Sequence, residues 1–333
     1  MIRFSASLKA EHVGRLMLFF SSIGMAYKLK VWRLPEARIA GKGKAMVNLL
    51  PLAQGERITA ILALPDENEW EKLHVVFATK SGDVRRNALS DFVQVNKNGK
   101  IAMKLADGDG IVGVATCTDD DDVLLTTRNG RCIRFSLSDL RVFQSRASTG
   151  VRGIKLGAGD EVVSLSLLRH TDIVPAEATA YLRQSNAARR AVTGEEVEQG
   201  ADDAAEEPVE EATLTPERYA ELGAREQFVL TVSGSGFGKR TSSYEYRVMG
   251  RGGAQGVWVM DMKNRNKTIV ASFSVEESDD LMLISDGGQT IRVPVAGIRV
   301  AGRATQGVTV FKVDDGEKVV SVERIADVGG ETA

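Results

Sequence analysis

The sequence predicts an all-β, propeller-like array of five four-stranded blades, and three observations carry that expectation. A glycine turn recurs five times, at Gly24, Gly82, Gly130, Gly236 and Gly288. A second glycine follows each at a similar offset, at Gly43, Gly99, Gly150, Gly256 and Gly307. The segments between these landmarks are short, rich in Val and Ile, and bounded by Gly and Asp turns, with a period of about fifty residues. Four-stranded units at that period argue for blades arranged radially rather than for stacked sandwiches.

Each element follows from its residues. Five hairpins span the first glycines: LMLFFSSIGMAYKL from Leu16, LHVVFATKSGDVRRN from Leu73, DVLLTTRNGRCIRFS from Asp122, FVLTVSGSGFGKRTS from Phe228 and LMLISDGGQTIRVP from Leu281. Asn129-Gly130 is the strongest hairpin signal among them, because a two-residue primed turn needs positive φ. Third strands are expected after the second glycines (AMVNLL, KIAMKL, VRGIKL, VWVMDM, VTVFKV). Fourth strands are expected at ITAILAL, IVGVATC, VVSLSLL, IVASFSV and VVSVERI. The expected organisation is a leader over 1–15, blades one to three over 16–169, an insertion over 170–227, blades four and five over 228–327 and a tail over 328–333, all in one domain.

The insertion is a different kind of sequence. Its flanks, PAEATAYLRQSNAARRAV and TPERYAELGAREQ, are expected to be helical, with Thr215-Pro216-Glu217 a good helix start. Its middle, 195–211, holds nine carboxylates and no Lys or Arg, a composition expected to stay disordered. The net charge of -2 therefore averages unlike parts. Residues 170–227 carry 5 basic and 14 acidic groups, leaving 38 against 31, about +7, for the rest. Charge complementarity suggests that the acidic segment could fold back over the basic body as a mimic of DNA, although acidic runs are more often simply solvated.

A cation stands four residues after every turn glycine: Lys28, Arg86, Arg134, Arg240 and Arg292. Further cations gather around the second glycines, among them Lys42, Lys44, Lys97, Lys100, Arg146, Arg152, Arg247, Arg251, Arg299 and Arg303. Charge that repeats with the blade is expected to form a track for a phosphate backbone, whereas isolated strand-end cations usually only keep edges soluble. The aromatic side chains sit mostly in strands (Phe77, Phe135, Trp258, Phe273) and read as core, and no recognition helix is evident. Duplex DNA, bound through its backbone without sequence readout, is the expected partner.

Other chemistries find little support. Cys117 and Cys132 are the only cysteines, which excludes a disulfide framework and a four-cysteine zinc site and fits a reducing, cytoplasmic setting. Leu16–Phe20 is too short an apolar run to span a bilayer. GSGFGKRTS (Gly234 to Ser242) fails the phosphate-loop spacing, with Ser233 at the first glycine position and Arg240 where Ser or Thr is needed. His12, His74 and His170 stand on unrelated segments, so no cofactor, metal or catalytic centre is expected.

Several segments in order, YKLKVWRLPEA (Tyr27 to Ala37), VNLLPL (Val47 to Leu52), KIAMKLADGD, TGVRGIKL (Thr149 to Leu156), GFGKRT and GRATQGV, resemble the C-terminal domain of the A subunit of bacterial DNA gyrase. The resemblance covers about residues 16–327 apart from the insertion. It implies a β-pinwheel, in which blades exchange strands, and a nucleoid-associated role in wrapping duplex DNA for negative supercoiling. It also implies partnership with the gyrase catalytic core and the B subunit of an ATP-dependent type II topoisomerase, whose cleavage tyrosine and ATPase lie elsewhere. None of Tyr27, Tyr181, Tyr219, Tyr244 or Tyr246 sits in the context of that tyrosine. The alternatives are the C-terminal domain of the A subunit of topoisomerase IV, and a protein-interaction propeller with a basic rim. Two departures stand out: the family's usual sixth blade and its QRRGGRG-type box are missing. The nearest remnant is GRGGAQG, Gly250 to Gly256, which keeps Arg251 and the glycines but lacks the paired arginines of the box on which chiral wrapping depends in the family it resembles.

Overall fold

The structure is a computed structural model, and it describes residues 16–35, 44–64, 67–144, 148–194, 198, 212–263 and 266–326. Antiparallel strands are the main regular structure of the described chain, which divides into two compact units. One comprises residues up to 118 together with 140–152; the other comprises 119–139 together with 153 onward.

The first unit holds two four-stranded sheets. Strands β1 (Leu16–Ser21), β2 (Met25–Lys30) and β3 (Ile58–Ala63) form three strands of the first, and β6 (Lys100–Ile101) completes it beside β2. The second is built from β4 (His74–Thr79), β5 (Asp83–Ala88) and β7 (Ile111–Cys117), with β10 (Val151–Arg152) beside β5. Phe20, Phe77 and Phe92 interlock edge-on between the two sheets, and Trp70 is buried in the same core.

The second unit repeats the plan. Strands β8 (Asp121–Thr127), β9 (Arg131–Ser136) and β11 (Val162–Arg169) are completed by β14 (Val257–Trp258). Strands β12 (Phe228–Ser233), β13 (Phe237–Ser242) and β15 (Ile269–Val275) are completed by β18 (Val308–Thr309). The last sheet, of β16 (Asp280–Ser285), β17 (Thr290–Pro294) and β19 (Val319–Ile325), has three strands among the described residues, not the four expected.

The third strands therefore differ from the expectation in two ways. Each is two residues long, and each joins the sheet of the preceding repeat, so every completed sheet borrows its last strand from the repeat that follows. The first repeat shows the consequence. Its AMVNLL segment is not a strand but a 3₁₀ turn over Met46–Asn48, and Val47 is 62% exposed. The residues at the same offset in the later repeats, Met103, Ile154, Met260 and Phe311, are buried.

All five turn glycines have positive φ. At Gly236 the need for glycine is twofold: φ is +79°, and a Cβ would lie 1.9 Å from the carbonyl oxygen of Phe311. That close approach is the docking of the borrowed segment. The Gly236 carbonyl accepts the amides of Val310 and Phe311 at 2.9 and 3.0 Å, as Gly24 accepts those of Ala102 and Met103.

Helices α1 (Pro175–Thr193) and α2 (Pro216–Arg225) flank the acidic stretch. Thr215 caps α2, its hydroxyl accepting the Arg218 amide. The helices pack through Tyr181, Tyr219 and Leu222 onto Tyr244 and are tied by Arg218 to Glu177, which holds the Glu177 carboxyl below the usual carboxylate range. Of 195–211 only Glu198 lies within the described residues. Its carbonyl accepts the Gly302 amide at 2.8 Å.

Candidate nucleic-acid interface

The cation after each hairpin turn sits on the second hairpin strand, where the following repeat is fastened. Lys28 Nζ donates to the Val93 carbonyl. Arg86 Nη1 reaches the Leu140 carbonyl at 3.4 Å, with Nη2 3.0 Å from His74 Nδ1. Arg134 donates to the Ser243 and Tyr246 carbonyls at 2.9 and 3.3 Å. Arg240 donates to those of Ile298 and Ala296 at 2.6 and 3.2 Å. Each acceptor lies in, or just past, the 3₁₀ turn of the next repeat: Leu89–Phe92, Leu137–Asp139, Ser243–Glu245 and Val295–Gly297 respectively. The last carbonyls of such a turn have no partner within it, and a cation is the side chain that satisfies them.

Burial decides what this column does. Arg86, Arg134 and Arg240 are 2, 4 and 8% exposed, so a phosphate cannot reach them. Arg134 is also paired with Asp122, which is fully buried (Nε to Oδ2, 2.8 Å), and Asp122 accepts His170 Nδ1 on its other oxygen at 2.8 Å. The expectation that the column is a phosphate track is corrected here: these arginines latch one repeat to the next. The exception fits the rule. Arg292 stands in the last sheet, where no further repeat follows among the described residues; its side chain is 63% exposed and paired with Asp280 at 2.7 Å.

The cations around the second glycines divide similarly. Arg303 is buried, its Nε donating to the Glu245 carbonyl at 3.1 Å and its Nη1 to that of Trp258, so it too is a fastening rather than a phosphate ligand. Lys100 is half-buried and donates to the carbonyls of Asp91 and Gln94, and Arg251 is half-buried with Nε 3.3 Å from the Asp139 carbonyl. Lys28 and Arg299 are also half-buried. Lys44, Lys97, Arg152 and Arg247 are exposed. Lys42 and Arg146 lie outside the described residues.

Sequence reasoning misses two sets. The residue before the latch position is also a buried cation in two repeats. Arg85 Nε donates to Asn87 Oδ1 at 2.7 Å, with its guanidinium 5.1 Å over Phe143. Lys239 Nζ is caged by the carbonyls of Gly302, Arg303 and Thr305. The second set is Lys104, Lys155 and Lys312, each five residues after a second glycine and each exposed. Asn48 and Asp261 break that series in repeats one and four, which hides its period.

Burial pushes the Lys239 ammonium down to about 7 from the ordinary lysine value of 10.5. With the folded value below the unfolded one, the unfolded chain binds more protons between those limits, and stability rises with pH across that window. Chemical denaturation at pH 6.5 and 9 is expected to show a higher midpoint at pH 9 for the wild type and a smaller difference for Lys239→Met. An equal rise in both would assign the effect to another group.

Among the described residues no three His, Cys, Asp or Glu side chains are arranged to hold a metal, and no helix is long and apolar enough to cross a membrane. Gly234–Ser242 spans the turn and second strand of the β12–β13 hairpin, and Cys117 and Cys132 are buried thiols outside any disulfide.

The family described as DNA gyrase C-terminal domain, beta-propeller, matches residues 16–65, 73–118, 121–169, 227–271 and 279–326, one segment for each repeat. This chain belongs to that family. The DNA gyrase A subunit of Granulibacter bethesdensis is 53% identical over 319 residues, covering 93% of this chain, and that of Escherichia coli is 35% identical over 311 residues, again 93% of this chain. The chain spans about a third of the length of these gyrase A relatives, 34% and 29% respectively. Among solved structures, a DNA gyrase A C-terminal domain aligns with a TM-score of 0.66 at 20% identity over 94% of this chain and 83% of its own. The C-terminal domain of a DNA topoisomerase IV aligns at 0.69 and 19% over 94% and 80%. These likenesses are of fold; sequence places the chain on the gyrase side. The strand exchange and latching described above are thus the gyrase-family repeat as this chain builds it.

Proposed function

We propose that this chain binds and bends duplex DNA without reading its sequence, as the C-terminal part of a gyrase A subunit, and so supports negative supercoiling. In this reading DNA cleavage and ATP hydrolysis belong to the catalytic core and to the B subunit, and the protein works on the nucleoid. The observation that carries the reading is the sorting of the cations. Arg86, Arg134, Arg240 and Arg303, which fasten repeats, are buried, while Lys44, Lys97 and Arg247 on the connections and Arg152 at the end of β10 remain in water. Membership of the gyrase family supplies the partner that such loops suit.

The energetics are adequate. Smoothly bending a site of 20–30 base pairs by 40–90° costs on the order of 1–6 kcal/mol. Released counterions offset it, and the same release makes binding steeply salt-dependent. Titrating the whole chain with duplexes of unrelated sequence is expected to give equal affinities that fall by about 10³–10⁵ between 50 and 200 mM salt for six to ten phosphate contacts. Affinity independent of salt, or confined to one sequence, would defeat the proposal. An acidic protein binding in place of DNA would instead support a protein-interaction role.

A further inference from the structure

After β2 the chain makes a 3₁₀ turn over Val31–Arg33. Val31 is buried and anchors the turn, whereas Trp32 is 58% exposed. Lys30 and Arg33 flank it, both exposed, and the Arg33 guanidinium lies 5.2 Å over the indole. The same place in the other turns is held by Ser90, Ser138, Tyr244 and Ala296. Ser90, Ser138 and Ala296 face solvent. Tyr244 is covered by the inserted helices, and its hydroxyl donates to the Leu222 carbonyl at 2.7 Å. The position is therefore outward-facing by construction. A large aromatic side chain occupies it twice, once beneath a cover and once bare.

What covers Trp32 follows from the charge around it. Lys28, Lys30 and Arg33 lie within four residues of it, and residues 28–35 hold no acid. A bare indole held between cations suits a ligand that combines flat apolar surface with negative charge. We infer that Trp32 is a wedge that presses between base pairs of bound duplex DNA, with Lys30 and Arg33 on the flanking phosphates, and so bends the duplex at that point. Proteins that kink DNA commonly insert an apolar side chain between base steps in this way, and cations beside it hold the opened step in place. The inference rests on the duplex-binding reading above and adds to it a site of bending.

The test uses the whole chain, a 30-base-pair duplex carrying fluorophores at its ends, and the variants Trp32→Ala and Trp32→Phe. Trp32→Ala is expected to bind about tenfold more weakly, the scale of removing one base–aromatic stack, partly offset by the unstacking it spares. Its salt slope stays unchanged because every cation that meets a phosphate is still present. The duplex ends are expected to lie farther apart with Trp32→Ala than with wild type, and Trp32→Phe to restore most of the bend. A wild-type chain that binds duplex and a Trp32→Ala variant that bends it equally would overturn the wedge alone. A wild-type chain that binds no duplex would overturn both this inference and the reading beneath it.

Discussion

Replacing Arg134 with methionine is expected to destabilise the second unit by about 3–5 kcal/mol, the cost of leaving a buried charge without its partner. Asp122 is fully buried and pairs with Arg134, and the guanidinium also satisfies the carbonyls of Ser243, Tyr246 and Arg169. Methionine would fill much of the volume while taking the donor from a buried carboxylate oxygen and from the carbonyls of Tyr246 and Arg169, and leaving that of Ser243 with the Tyr246 amide alone. His170 Nδ1 would remain the side-chain partner of the other Asp122 oxygen. Urea denaturation should show the loss directly. The double variant Arg134→Met with Asp122→Leu should recover part of it, because an apolar pair of similar size avoids the stranded charge. Arg152→Ala, on an exposed residue, should change stability by no more than about 0.5 kcal/mol. A loss below about 1 kcal/mol for Arg134→Met would refute the latch, since an arginine that merely decorates a surface costs that little.

The second large effect is on DNA affinity. Replacing Lys44, Lys97, Arg152 and Arg247 together with alanine is expected to lower the slope of log affinity against log salt by about 3.6, at 0.9 for each phosphate no longer neutralised, and affinity near 0.1 M salt by about 10³-fold or more. The fold should be untouched, because all four side chains are exposed. Arg86→Ala is the opposite control: burial predicts lower stability with little change of slope in the protein that remains folded. If the slope falls with Arg86→Ala and not with the four exposed replacements, the roles assigned to the buried and exposed cations are reversed.

The hairpins are legible in the sequence because their chemistry is local. Asn129-Gly130 needs no distant partner to be read as a turn, and the same holds for Thr215 as the cap of a helix. The borrowed strands are not legible, because two residues such as Val257-Trp258 are too few to show alternation and nothing in them tells which sheet they join. The cation column is visible as a period but not as a place. A repeat interval fixes equivalence among positions; it does not say whether they face water. A local signal is nevertheless present. Arg86 lies opposite Val76 and Arg134 opposite Leu124, in strands buried on both faces, so a charge there has to find partners inside. The exposed Lys104, Lys155 and Lys312 escape notice for the converse reason, since two substitutions in the series conceal a pattern that geometry restores.

The two-residue strand that each repeat lends backwards has a consequence for how such a protein can change its length. Excising a whole repeat, such as 73–118, removes the strand that completes the sheet before it and frees the lent strand of the repeat after it for that same edge. Duplication or deletion of one whole period, in whatever frame, keeps an open edge for every lent strand, whereas a partial one leaves a lent strand without its edge. Members of such a lineage should therefore gain and lose blades as whole periods, and a protease that cuts between apparent repeats should leave the fragments held together by the short antiparallel ladder that spans the cut.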